Sequence, residues 1–319
     1  MLGKLIKELR ESQNISIEEL ACKSGLSKEI LTSLEKKEIS SIDYQTLIKI
    51  ADSLQFKRGY DFIYLMRTNS FPRRFHAYNV GLIRTGTSSI AGIFCKYRSG
   101  HELLVDSTTK MIKKYNKQMI SKESLRQFAR ERDIRLFLEM DSSHIHRLYL
   151  DILVEEFPSS KFIFTIRDCY SWLDALINWI LNHRIGEKCK GSKILFGLDN
   201  FGCMDENDMQ CNIHAHLKDF LSFWASANDN ILKTLSPDRS LVIRTHEISE
   251  KINEISHFLG ISPETLDRSQ AHKFKASRKF NMLHRINYEF LKNSCEEYCT
   301  PLMERFFPGY TLTDFLDGK

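Results

Sequence analysis

Apolar positions recur at helical spacing through the first 56 residues, and the period then changes. Leu2, Leu5, Ile6 and Leu9 share one face of "LGKLIKELRESQ". Ser16 with Glu19 forms a capping box that opens a second helix through Leu20 and Ala21, and Gly25 ends it. Ser27 caps a third helix, "KEILTSLEKK". A fourth, "DYQTLIKIADSL", carries Leu47, Ile48, Ile50, Ala51 and Leu54 as its buried face. Residues 57–75 mix charge, aromatic residues and a proline turn. Beyond them, continuous apolar runs predict strands at "HAYNVGLI" (76–83), "IRLFLEM" (134–140), "KFIFTIR" (161–167) and "SLVIRT" (240–245). Helical patterns fill the intervals at 88–97, 121–133, 144–157, 170–183, 208–235 and 248–259. "CEEYCTPLMERFFPGY" predicts an amphipathic helix that Pro308 and Gly309 stop.

Strands that are apolar throughout and alternate with helices imply a parallel sheet covered on both faces. The expectation is therefore an α/β domain, a three-layer sandwich with a central parallel sheet, at residues 76–319. A linker covers 57–75. Residues 1–56 form a small all-α domain in which two short helices joined by a glycine-containing turn make a helix-turn-helix. Ligands of such sheets bind at the carboxyl ends of the strands.

Composition narrows the class. Hydrophobic residues make up 42% and charged residues 27%, as in ordinary globular proteins. No apolar run approaches the ~18 residues of a membrane span, and the start is amphipathic, so a cytoplasmic protein without a membrane partner is expected. The eight cysteines form no C-x-x-C pair and read as reduced packing thiols. Cys203, Cys211, His214 and His216 lie close in sequence, but His214 and His216, two apart on a helix, diverge, and no metal is expected. Residues 1–56 carry eight Lys/Arg against nine Asp/Glu, so of the net +5 the rest of the chain holds an excess of six positive charges. An anionic ligand belongs there.

The stretch "VGLIRTGTSSIAGIF" (80–94) is where such a ligand fits. Gly81 and Gly86 are spaced as in a loop that cradles nucleotide phosphates, which makes this a P-loop-like phosphate-binding loop. Backbone amides of residues 85–89 and the following helix start can surround a phosphate. Thr87 follows Gly86 where ATP-hydrolysing loops carry lysine, and the cation is Arg84 instead. A second strand, in "FPSSKFIFTIRDCYSWLDALINW", also ends in a cation, Arg167, with Asp168 placed to cap the next helix.

Strand–"RTGTSS"–helix followed by strand–"RDCYSW"–helix resembles the sulfotransferases that use 3′-phosphoadenosine 5′-phosphosulfate, specifically bacterial members with an "RTGT" loop. The resemblance spans about residues 75–310. It implies that the 5′-phosphosulfate sits on Arg84, Thr85, Gly86, Thr87, Ser88 and Ser89, with no metal, and that Arg84 stabilises charge on the departing phosphate. It implies that Arg167 binds the 3′-phosphate. The family's serine eight residues after that arginine is Ala175 here, and Ser171 replaces it in part; the missing bond costs about 1.5–3 kcal/mol of affinity unless compensated. Arg278 and Lys279 in "HKFKASRKF", with Lys273 and Lys275, correspond to the loop that closes on the 3′-phosphate. The competing reading of that run is a solvated face.

Sulfuryl transfer to a hydroxyl or amine acceptor needs a group to take the acceptor's proton. Glu102, with His101 as helper, follows the loop's helix in "YRSGHELLV", where family members acting on sugars or tyrosine place their glutamate. Pairing of Glu102 with Arg84 or Arg98 is its structural alternative. Asp141 and His144 in "LEMDSSHIH" form a second candidate pair, with Asp141 or Ser143 as a helix cap instead. "RTHEI" (244–248) reads as a structural turn, and Trp172, Trp179 and Phe223 as core or acceptor-cleft wall.

"SIEELACKSGLSKEILTSLEKK" resembles the Cro/repressor-type helix-turn-helix family, although Ile17 stands where glutamine is usual. The resemblance implies that Lys28, Thr32 and Ser33 face the DNA major groove and that Lys36 or Lys37 meets phosphate. A docking module for a protein partner, or for a second copy in a homodimer, is the competing expectation. For the whole chain, the rivals of a sulfotransferase are an ATP-dependent P-loop kinase and a non-enzymatic DNA-binding regulator that senses a nucleotide.

Overall fold

The computed structural model of the chain describes residues 2–36, 44–54, 72–183, 206–271 and 279–318. They fall into two compact units, residues 1–74 with 130–137 and residues 75–129 with 138–319.

The first unit contains α1 (Leu2–Ser12), α2 (Ile17–Ser24), α3 (Lys28–Glu35) and α4 (Tyr44–Ser53). Their starts and stops follow the sequence signals. Ser16 Oγ accepts the Glu19 amide at 3.0 Å, Ser27 Oγ accepts the Ile30 amide at 3.3 Å, and Gly25 ends α2 at φ +64°. Ile6, Ile15, Leu20, Leu31, Leu34, Ile50, Ala51 and Leu54 form the core; the side chains of Leu2, Leu5, Leu47 and Ile48 lie outside the described set. Arg10 joins α1 to α3 through a two-pronged pair with Glu35 (2.8 and 2.9 Å) and donates to Ile15 O at 2.9 Å. Such a forked, half-buried bond fixes orientation as well as adding energy.

The second unit runs β1 (Ala77–Gly81), α5 (Thr87–Ile93), β2 (Ser99–His101), α6 (Val105–Asn116), α7 (Lys122–Leu136), β3 (Met140–Ser142), a 3-10 turn (His144–Tyr149), α8 (Leu150–Glu156), β4 (Lys161–Ile166), α9 (Cys169–His183), α10 (Glu206–Thr234), β5 (Ser240–Arg244), α11 (Ile252–Leu259), α12 (Tyr288–Phe306) and α13 (Leu312–Leu316). The last turns of α7 cluster with the first unit. The sheet is parallel throughout, in the order β2-β3-β1-β4-β5. One face carries Tyr78, Val80, Phe162, Phe164 and Ile166 against Trp172, Leu176, Phe220 and Trp224. The other carries Ala77, Ile163 and Ile243 against Ile90, Ile93, Ile252 and Ile255. Burial on both faces explains the unbroken apolar strands, and each buried phenylalanine contributes about 1.5–3 kcal/mol.

Connections leave β1 toward β2 on one side, and the chain later crosses from β3 to β4 on the other. That reversal opens a crevice at the carboxyl end of β1. Among the described residues no helix is long and apolar enough to cross a membrane.

One predicted strand is corrected. Residues 134–136 of the expected strand 134–140 finish α7, and the strand is only Met140–Ser142. Phe137 stops the helix in the left-handed region (φ +48°), a role that no glycine or proline announces in the sequence. Two elements absent from the sequence reading, β2 and α6, lie between α5 and α7. The predicted helix at 144–157 is a 3-10 turn that Ser143 opens, accepting the Ile145 amide at 3.2 Å, followed by the short α8.

Candidate active site

The loop between β1 and α5 is shaped by its two glycines. A Cβ on Gly81 would lie 2.5 Å from Thr85 Oγ1 and 2.7 Å from Thr165 O, so only glycine fits. Gly86 has φ +94°, and a Cβ there would lie 2.8 Å from Ile248 Cδ1. Between them Arg84 adopts φ +68°, a left-handed conformation that a non-glycine residue takes at a cost.

From Leu82 to Thr87 each backbone carbonyl has a partner. Leu82 O accepts the Thr85 amide (3.3 Å) and Thr85 Oγ1 (2.7 Å). Ile83 O accepts Trp172 Nε1 at 2.9 Å, and Arg84 O accepts Arg167 Nη1 at 3.4 Å. Thr85 O accepts Thr245 Oγ1 at 2.8 Å, Gly86 O the Ile90 amide at 3.0 Å, and Thr87 O Ser142 Oγ at 2.6 Å. The amides of Gly86, Thr87, Ser88 and Ser89, in contrast, donate to no acceptor among the described residues. With acceptors satisfied and donors left over, the loop is complementary to an anion.

Two arginines reinforce that polarity. Arg84 Nε is buried without a hydrogen-bond partner, and burial lowers the guanidinium's pKa. Arg167 is lowered by burial first and by Arg84 as well, against the opposing pull of Asp168. Two desolvated cations held side by side need an anion between them. Arg167 Nε donates to Ser171 Oγ at 2.8 Å, and Ser171 Oγ donates to Asp168. The Ser171 proton is thereby committed to Asp168, which also caps α9 by accepting the Ser171 amide at 2.8 Å. Trp224 Nε1 donates to Arg167 O at 3.0 Å and fixes the strand end. Arg278, Lys273 and Lys275 lie outside the described residues; Lys279 is exposed. Its neighbour Phe280 is tied to α9 by a 2.7 Å bond to Asn178 Oδ1, and its charge acts on Asp174, whose pKa is raised by burial against Lys279 and Arg167.

The acid–base candidates divide differently from their order in the chain. β2 and β3 pair with His101 opposite Ser142, and the Glu102 amide continues the ladder to Ser142 O at 2.9 Å. This register brings Glu102 to His144: Nδ1 donates to Glu102 Oε1 at 2.5 Å. His101 Nε2 lies 3.6 Å from the same oxygen and 3.0 Å from Thr87 Oγ1 of the phosphate loop. Glu102 and His101 are about one-third exposed (31% and 33%), whereas His144 is buried behind them at 8%. Burial alone would push the Glu102 carboxyl up, but the His144 hydrogen bond and the histidine charges outweigh it and hold it below the usual range. Burial lowers His101, with His144 and His146 adding and Glu102 opposing.

Asp141 does not join this cluster. It is buried, 3.5 Å from His146 Nε2, and His146 Nδ1 donates to Asn79 O at 3.0 Å. Glu102 pairs with neither Arg84 nor Arg98; Arg98 lies 3.7 Å from Glu139. "RTHEI" is the turn expected, with Arg244 paired to Glu247. Its Thr245, together with Trp224 and Ser142, escaped the sequence reading, since a hydroxyl or indole that holds a carbonyl leaves no spacing pattern. Trp172 and Trp179 lie on α9 as anticipated, Trp172 fully buried. Among the described residues no group of three or more His, Cys, Asp or Glu is placed to hold a metal ion.

In the first unit Lys28 and Lys36 are exposed and Thr32 and Ser33 half-buried on and just after α3. Lys28 pairs with Glu18 at 2.5 Å.

Residues 6–60 match a family described as helix-turn-helix, the class to which the four-helix arrangement of the first unit belongs. No curated protein matches the chain by sequence. Among solved structures the chain is similar to a sulfotransferase domain from the curacin biosynthetic pathway, at 16% identity, covering 72% of this chain and 97% of that one with a TM-score of 0.36. It is also similar to sulfotransferase STF1 from Mycobacterium tuberculosis H37Rv, at 10% identity, covering 93% of both chains with a TM-score of 0.36.

Proposed function

We propose that the second unit is a sulfotransferase that moves a sulfuryl group from 3′-phosphoadenosine 5′-phosphosulfate to a hydroxyl or amine acceptor. The observation that carries this reading is the loop whose carbonyls are taken and whose amides at residues 86–89 are free, beside two buried arginines and within 3.0 Å of a carboxylate–imidazole cluster. The donor nucleotide fits that chemistry: Arg84 and the amides of residues 86–89 hold its 5′-phosphate, and Arg167 its 3′-phosphate, with Lys279 near the same end. When bound, it supplies an activated sulfuryl group.

The chain's own residues do the rest. Glu102 is the accessible carboxylate, with Oε1 occupied by His144 and Oε2 left for the acceptor's proton. His144 fixes that carboxylate, and His101 stands between it and Thr87. Asp141 takes the role of a partner for His146 rather than a base. Arg84 offsets the charge that grows on the phosphate. In the first unit, the helix-turn-helix match favours DNA binding through Lys28, Thr32, Ser33 and Lys36.

Thermal stability in adenosine 3′,5′-bisphosphate, compared with ATP plus magnesium, tests the reading. A ligand at about 100 times its Kd adds ~2.7 kcal/mol, a rise of several degrees. The bisphosphate is expected to give this rise and Arg167→Ala to abolish it. A rise with ATP alone would transfer the site to a kinase.

A further inference from the structure

We propose that the outward face of α6 is a second surface for the phosphate backbone of double-stranded DNA. The proposal rests on the DNA-binding reading of the first unit. Thr108 and Ile112 are the buried residues of α6, which packs on the 3-10 turn carrying His144. At 100° per residue, Lys110, Lys113, Lys114 and the C-terminal Lys117 fall in an arc of about 100° opposite Ile112. Lys110 and Lys117 are exposed, and Lys113 and Lys114 half-buried.

The state of these lysines sets them apart from their neighbours. On α7, Lys122 pairs with Asp151 (3.4 Å) and Glu155 (3.1 Å), and Arg126 pairs with Glu155 and Glu156. Among the described residues Lys110, Lys114 and Lys117 form no ion pair. Asp106, on the same face, pairs with none of them. The stripe from 110 to 117 is about 10 Å long, a length over which duplex DNA presents about six phosphate charges. DNA affinity comes largely from such neutralisation, and residues 1–56, with nine acids against eight bases, are short of it. A flat lysine row on a convex helix suits a long regular polyanion better than an acceptor that must enter a cleft.

The test uses the full chain and a fluorescent duplex of about 30 base pairs of mixed sequence, with binding followed by anisotropy from about 50 to 200 mM salt. The variant Lys110→Gln/Lys114→Gln/Lys117→Gln replaces two exposed side chains and one half-buried one, and its melting temperature checks folding. It should reduce the slope of log K against log salt by about 2.7, weaken binding at least ~10-fold at low salt, and do so equally for all duplex sequences. Lys→Arg at the same three positions should restore both. An unchanged slope, with binding lost instead in Lys28→Gln/Lys36→Gln, overturns the α6 surface and leaves the helix-turn-helix reading standing. The reverse pattern supports the surface and removes the helix-turn-helix as the reader. Tighter binding of a sulfated polysaccharide than of the duplex overturns it in favour of an acidic acceptor, and no duplex binding by the unaltered chain overturns both.

Discussion

The two sides of the candidate site are built in different ways. The phosphate side is one contiguous loop, held from outside by Trp172, Arg167 and Thr245, each taking one carbonyl. The base side is assembled from separate segments that meet only because β2 pairs with β3. Both place a non-glycine residue in the left-handed region, Arg84 at φ +68° and Glu102 at φ +55°. Each such residue costs about 1–2 kcal/mol and persists only where its surroundings over-determine it. What differs is polarity. The loop offers donors and fixed positive charge, and the base side offers an acceptor, so ligand binding and proton removal should separate under mutation.

The largest expected effect breaks the base side alone. Glu102→Gln keeps an oxygen for His144 Nδ1 but cannot take a proton. It should lower kcat by about 10²–10⁴-fold while the stabilisation by adenosine 3′,5′-bisphosphate stays intact. An equal loss of bisphosphate binding would show that the two sides are not separate.

A smaller effect sharpens the assignment of the base. The Glu102 carboxyl lies low because the His144 bond and the charges of His144, His101 and His146 together outweigh the upward push of burial. With Glu102 as the proposed base the carboxylate is the working form, so kcat/KM should fall only as pH drops through that lowered pKa, beneath the ordinary value of about 4.3. The same bond contributes stability that is present above the unfolded value and lost as pH falls through the folded one. His144→Phe removes the bond and leaves burial opposed only by His101 and His146, so the acid limb of kcat/KM should move up. A limb that stays in place would mean that the titrating group is not Glu102.

The contrast also explains what the sequence could show. Gly81, Arg84 and Gly86 lie within six positions, and steric necessity at two of them makes the loop readable in one dimension. Arg167 was equally visible, as the cation that ends an apolar run. Glu102 and His144 are 42 positions apart, and their contact depends on a three-residue strand too short to give a period. Misreading 134–136 as strand hid the same connection, because α7 has charge on several faces and ends at Phe137 without a breaker. Asp141 and His144, three positions apart in one motif, diverge because Asp141 lies on β3 and His144 opens the 3-10 turn that follows it. The helices of the first unit were legible through their caps, since Ser16, Gly25 and Ser27 each act locally.

The smallest predicted effect concerns the link between the sides. Thr87 Oγ1 lies 3.0 Å from His101 Nε2, so the proposed phosphate loop and the proposed base cluster share a hydrogen bond. Burial favours neutral His101, leaving one ring proton to share between Thr87 and Glu102. An anion taking the Thr87 hydroxyl proton would leave Oγ1 as an acceptor for that ring N–H and draw it from Glu102. Thr87→Val, His101→Phe and the double variant should then show a coupling of about 0.5–1.5 kcal/mol in kcat/KM, since neither single change alone removes the other partner's role. Strict additivity would mean that occupancy of the loop does not reach the base, and the two sides would act as independent devices on one sheet.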